Sequence, residues 1–136
     1  MAIQLSVSVR NARLDAIEST VGTSAVLKIR TTSAPADCAT ADAGTVLATI
    51  ALPSDWMDAA ASGSKAKSAG AWTDASADAT GTAAHFRLYA SDGTTCHAQG
   101  TVTATGGGGD MTVDNVSIAI GQTVTVTGFT FTDGNP

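Results

Sequence analysis

A chain of 136 residues is large enough for one domain with a working core, and its formal net charge of −5, with only 14% charged and 4% aromatic residues, is unusual for an enzyme. The basic residues (Arg10, Arg13, Lys28, Arg30, Lys65, Lys67 and Arg87) are scattered, which excludes the clustered cations a nucleic-acid surface needs. No run of about 20 apolar residues offers a membrane span, and the opening Met1–Arg10 lacks the basic-then-apolar order of a secretory signal.

In chain order, Ser8–Val21 places Val9, Ala12, Leu14, Ala16, Ile17 and Val21 at helical spacing, and Gly22 follows as a C-terminal stop. It is expected to be the only substantial helix. Residues 24–31 alternate, with Ala25, Leu27 and Ile29 on one face and Val26, Lys28 and Arg30 on a half-solvated one. A small-residue loop, 32–44, carries Pro35, Asp37 and Cys38, and residues 45–52 form the next strand. Residues 54–57 could start one helical turn, and 59–70 reads as a mobile loop or a weak edge strand leading to Trp72.

Residues 82–90 alternate again, with Ala84, Phe86, Leu88 and Ala90 inward and His85, Arg87 and Tyr89 the other way. Asp92-Gly93 supplies a hairpin turn. The partner strand, 95–105, sets Cys96, Ala98, Val102 and Ala104 on one face. Two last strands, about 111–120 and 123–132, join at Gly121-Gln122, and a bulge near Gly128 would bury both Phe129 and Phe131. Such spacing predicts an all-β fold, a jelly-roll-like antiparallel β-sandwich with one N-terminal helix, as a single domain over 1–136: a helical segment to residue 22, then strands and loops.

Reactive constellations are absent from this pattern. Cys96 and His97 are adjacent on a strand and point to opposite faces, and with Cys38 and His85 they show no zinc-ligand spacing. No partner orients Cys96 as a nucleophile. Gly106–Gly109 lacks the lysine and the helix of a phosphate loop and reads as a flexible turn that a partner could fix. The carboxylates are spread singly as turn and cap residues, with Asp74 and Asp78 the weak candidates for calcium. No catalytic, metal or cofactor-binding residue is therefore assigned. Cys38 and Cys96 could form one bridge, which reducing cytosol would disfavour, and the sequence leaves the pairing open.

Contact is the better-supported theme. The helix reads first as a cap closing one end of the sandwich; alternatively, Arg10 and Arg13 meet acidic groups of a neighbouring subunit while Leu14 and Ile17 anchor the helix. Trp56 and Trp72 read as core filling or as interface anchors.

Four stretches, Val9–Glu18 (VRNARLDAIE), Leu52–Met57 (LPSDWM), Gly81–Tyr89 (GTAAHFRLY) and Gly106–Thr112 (GGGGDMT), resemble a family of small structural proteins of tailed bacteriophages and prophages, above all the capsid cement, or decoration, proteins of short-tailed phages. The likeness spans nearly the whole chain. It implies a jelly-roll-like sandwich that forms a homodimer and clamps neighbouring major capsid proteins on the outside of the head, after synthesis in the host cytoplasm, with no enzymatic activity, cofactor, nucleic acid or membrane. A head–tail connector or tail-tube subunit is the alternative, and a glycan-binding module on a fibre a third reading.

Overall fold

The computed structural model describes residues 2–135, so Met1 and Pro136 at the ends of the expected domain lie outside the described residues. The helix, α1, runs Val7–Val21. It starts where Ser6 Oγ accepts the Val9 N–H, and it stops at Gly22, whose φ of +88° suits glycine and whose N–H reaches Glu18 O at 2.9 Å. Its apolar residues divide between two faces. Leu14 and Val21 are buried and Ile17 half-buried, whereas Val9, Ala12 and Ala16 are exposed.

The strands are β1 (Val26–Arg30), β2 (Val46–Ala51), β3 (Ser64–Ala66), β4 (Thr73–Asp74), β5 (Gly81–Thr82), β6 (His85–Tyr89), β7 (Cys96–Ala104), β8 (Met111–Val113), β9 (Ser117–Ile118) and β10 (Val124–Thr132). The all-β class with one N-terminal helix takes the form of a curled mixed sheet, a half-barrel, with strand order β2-β1-β6-β7-β8-β10-β3. β4 also pairs with β10, and β5 and β9 form a separate ribbon. The layering expected of a sandwich is thus achieved by one sheet bending around its own core. Antiparallel pairing fails once: β7 and β8 run parallel, with Val102 opposite Met111 and Ala104 opposite Val113.

That parallel pair explains the glycine run. Parallel neighbours ordinarily need a crossover of a dozen or more residues, but here residues 105–110 fold straight back along β7. Gly106 and Gly108 adopt φ of +85° and +80°, and a Cβ on Gly107 would come within 2.7 Å of Thr103 Cβ. Thr103 Oγ1 accepts the Gly109 N–H at 3.0 Å, and Asp110 Oδ2 accepts the Thr101 N–H at 2.8 Å. The turn is fixed by its own strand and needs no partner to order it.

Two local expectations change. The strand foreseen over 111–120 breaks into β8 and β9, because Asp114 Oδ1 takes the Asn115 and Thr125 N–H groups at 3.0 and 3.1 Å and turns the chain. Residues 54–57 form no helical turn; Met57 instead bridges to Lys67. Residues 59–70 resolve as the edge-strand alternative, β3. The bulge near Gly128 is present, with the β10 register shifting between Val126 and Gly128 so that Phe129 is buried and Phe131 packs against the core.

All the phenylalanines and tryptophans meet in that core. Trp56 lies 6.1 Å from Trp72, Trp72 5.6 Å from Phe129, and Phe129 5.3 and 4.8 Å from Phe86 and Phe131. The cluster joins the largest side chains of the core, which otherwise is built of aliphatic residues. Both tryptophans are 0% exposed, so core filling accounts for them and they present no surface for an interface.

Candidate functional site

The helix is fixed through polar groups on its inner side. Lys65, only 3% exposed, spends its three ammonium protons on Asp15 Oδ1 at 2.8 Å, Glu18 Oε2 at 3.0 Å and Asp58 O at 2.8 Å. Glu18 Oε1 also accepts the Met57 N–H at 3.0 Å, and Asn11 Oδ1 accepts the Gly63 N–H at 2.9 Å. The hydrogen bond from Lys65 is the main reason the Asp15 carboxyl titrates below its ordinary range. Burial alone would lower the Lys65 pKa, but the two carboxylates outweigh it and raise it. Each fully buried side chain on this face, Leu14 and Val21, adds about 1.5–3 kcal/mol of apolar burial.

Arg10 and Arg13 meet acidic and carbonyl groups of their own chain. Arg10 Nη1 donates to Asp133 O at 2.9 Å, and Arg13 Nε pairs with Asp133 Oδ2 at 3.2 Å. Within the chain their acidic partner is the C-terminal segment, which Asn135 also clasps to Leu5 through two 2.9 Å bonds. Of the residues expected at a contact surface, Arg10, Arg13, Leu14 and Ile17 share α1, while Trp56 and Trp72 lie in the core.

The residues α1 leaves exposed are mixed: Ser8, Arg13, Asp15, Ser19 and Thr20 stand beside the apolar Val7, Val9, Ala12 and Ala16. Ile3 is 84% exposed, Val7 47% and Val9 45%, and Ala12 and Ala16 continue the stripe from Val9 at spacings of three and four residues. Beside Ala16 lies a hollow of about 270 Å³ lined by Arg13, Ala16, Ile17, Thr20, Val21 and His97. On the other flank a cleft of about 620 Å³ is lined by Asp15, Glu18, Asp55, Asp58 and Lys65 among others. The helical spacing of Val9, Ala12 and Ala16 was visible in sequence; the division of apolar residues between an inner and an outer face was not.

The outer face of the central strands is the second constellation. All of β6 is buried. Its core side carries Phe86 and Leu88 as expected, but His85, Arg87 and Tyr89 are covered too, by the segment between β1 and β2. Arg30, expected on a half-solvated face, is buried there as well. Asp42 unites them, accepting Arg87 Nη1 at 2.7 Å, Arg30 Nη2 at 2.8 Å and Tyr89 Oη at 2.7 Å. Burial would raise the Asp42 pKa, yet the hydrogen bonds from Tyr89 and Arg87 and the charge of Arg30 bring it below the usual carboxylate range. Burial and the Asp42 hydrogen bond push Tyr89 up.

Cys38 and Cys96 form a disulfide, with Cα atoms 5.3 Å apart. The sequence placed Cys96 with Ala98, but a bulge at His97 sets Cys96 opposite Tyr89 and Ala98 opposite Leu88, turning the sulfur to the covered face. His85 Nδ1 lies 2.7 Å from Thr32 O, and His97 is exposed beside the helix. Asp74 and Asp78 bond to β2, at Thr49 N and Thr49 Oγ1. Among the described residues no group of three or more histidine, cysteine or acidic side chains is placed to hold a metal ion, and no helix is long and apolar enough to cross a membrane.

No protein-family model, curated protein or solved structure matches the chain.

Proposed function

We propose that the chain is a bacteriophage capsid cement, or decoration, protein that binds the outer surface of the head and bridges neighbouring major capsid proteins as a homodimer. The observation that carries this reading is the division of α1: one face is anchored by Lys65, Leu14 and Val21, and the other offers Val9, Ala12 and Ala16 to solvent. A helix held that firmly presents an apolar stripe at little cost in ordering entropy when a partner covers it. The four stretches that resemble phage structural proteins are consistent with the same role.

Bridging suits such a surface. A dimer that touches two capsid subunits makes its second contact intramolecularly, so two modest patches hold strongly. A two-fold pair also uses one patch twice. The test is the composition of purified particles, followed by heating and low-salt challenge of heads with and without the protein. The reading predicts a high copy number spread over the shell and heads that rupture earlier without the protein. Particles lacking the chain, or heads indifferent to its loss, would overturn it, and a single ring's worth of copies would move it to a head–tail connector or tail tube.

A further inference from the structure

Between β1 and β2 the chain crosses the outer face of β1, β6 and β7 as a strap without helix or strand. Its carbonyls are gripped one by one. His85 Nδ1 lies 2.7 Å from Thr32 O, and Gln99 Nε2 donates to Pro35 O at 2.6 Å. Arg87 Nη2 donates to Asp37 O and Thr40 O at 2.7 and 2.9 Å, and Arg30 Nη1 to Gly44 O at 3.4 Å. Gln99 Oε1 in turn accepts Arg87 Nε and Nη2 at 3.1 and 2.9 Å, which aims the guanidinium at the strap. None of these groups is a thiol.

The disulfide joins residues 58 apart in sequence, one on the strap and one on the bulge of β7. In an unfolded chain those sulfurs meet rarely. Once Arg87 and Gln99 hold the carbonyls of residues 35, 37 and 40, Cys38 is confined over Cys96. Both cysteines remain half-buried, so a small oxidant can reach them.

We propose that the strap is docked by this polar grip and that Cys38–Cys96 is an oxidation lock added afterwards, so that the protein folds with both thiols reduced and is locked when it meets an oxidising medium. With glutathione disulfide as oxidant, one cysteine thiolate attacks a glutathione sulfur and expels one glutathione thiolate. The second cysteine thiolate then attacks the protein sulfur of the mixed disulfide and expels the other. One protein disulfide forms, one glutathione disulfide becomes two glutathione thiols, and the two cysteine protons end on them. A dithiol reductant reverses the exchange. The inference stands independently of the capsid reading.

The test compares the oxidised protein, the protein reduced with dithiothreitol, and the Cys38→Ser/Cys96→Ser variant. Far-UV circular dichroism should be the same for all three, and amide exchange of peptides covering 31–45 should stay protected without the bond. The melting temperature should fall by roughly 10 °C. Reduced Gln99→Ala, which removes both the Pro35 contact and the acceptor that aims Arg87 at the strap, should close its disulfide with glutathione disulfide about tenfold more slowly than the reduced wild type. Unfolding of the double-serine variant, or free-chain exchange of its strap, would show that the bond itself places the strap and would overturn the proposal. So would oxidation of Gln99→Ala at the wild-type rate.

Discussion

Arg87 is the residue on which the outer face depends most. It is 2% exposed, and its guanidinium bonds to Gln99, Asp42 and two strap carbonyls. Removing a partner from a buried ion pair costs more than the pair contributes, because the remaining groups stay desolvated. Arg87→Met should therefore lower stability by about 3 kcal/mol, the lower end of that cost because Asp42 is 39% exposed. Arg87→Lys should restore little, since an ammonium cannot reproduce the planar fork. The midpoint of urea denaturation measures both. Carboxylates in this cluster and in the β6–β7 turn set an acid limit. Asp42, Asp37 and Asp92 are held below their ordinary pKa in the folded protein, Asp42 by Tyr89 and the arginines, Asp37 chiefly by Thr40 and Asp92 by Thr95. Depressed folded values mean stability that is complete above the unfolded carboxylate pKa of about 3.9 and is lost as pH falls through the folded values. The urea midpoint should hold from neutral pH to about 5 and then drop, with Asp42→Asn starting lower and dropping less steeply. An equally steep drop in that variant would assign the acid sensitivity elsewhere.

Among the elements, the reversal between β7 and β8 separates steric from conformational demand. Gly106 has φ of +85° with open space where a Cβ would go, so Gly106→Ala should cost only the left-handed backbone term, about 1–2 kcal/mol. At Gly107 a Cβ would lie 2.7 Å from Thr103 Cβ and 3.0 Å from Ala104 O, and at Gly109 it would lie 3.0 Å from Thr103 N. Those contacts are with backbone and a branched stem, so Gly107→Ala and Gly109→Ala should cost more, about 2–3 kcal/mol, and disturb the parallel pairing. Thermal melts of the three variants rank them, and equal losses would mean that only glycine's flexibility matters. This run also marks the limit of what the residues could say. The helix stop at Gly22, the Asp92-Gly93 hairpin and the Gly128 bulge were legible because each depends on chemistry within a few residues. The parallel return was not, because four glycines describe freedom and the fold-back is set by Thr101 and Thr103 on the neighbouring strand. Likewise Lys28, Arg30 and Arg87 alternate as a wet face should. The strap that buries the two arginines comes from a loop with no periodicity of its own, and the exposure of Val9, Ala12 and Ala16 on α1 was hidden because they share a helix with the true core residues.

For the whole molecule, the decisive feature is that both ends of the curled sheet are defended against further strands. At β2 the Thr49 N–H is taken by Asp74 Oδ2 at 2.9 Å and Leu47 O by the Asp78 N–H at 2.7 Å, so the edge bonds across the barrel gap instead of to a neighbour. At the other end β3 is short, and its Lys65 points inward beneath α1. Short strands and inward charges are the usual defences of an edge against pairing. Under the proposed reading a second copy or a capsid subunit docks on α1 and not on a sheet edge, and the two surfaces can be separated by mutation. Asp74→Ala should lower stability by about 1 kcal/mol through the lost hydrogen bond and raise aggregation on heating. Ala12→Glu with Ala16→Glu touches exposed helical positions, so stability should stay within about 0.5 kcal/mol of wild type. Burying those carboxylates against a partner is costly, so self-association in sedimentation and co-sedimentation with empty heads should both be lost. If the double glutamate variant still dimerised and bound heads, α1 would be a cap alone. The contact would then have to be sought on the solvent face of β7, β8 and β10, where Thr105, Thr112 and Thr127 bond to one another.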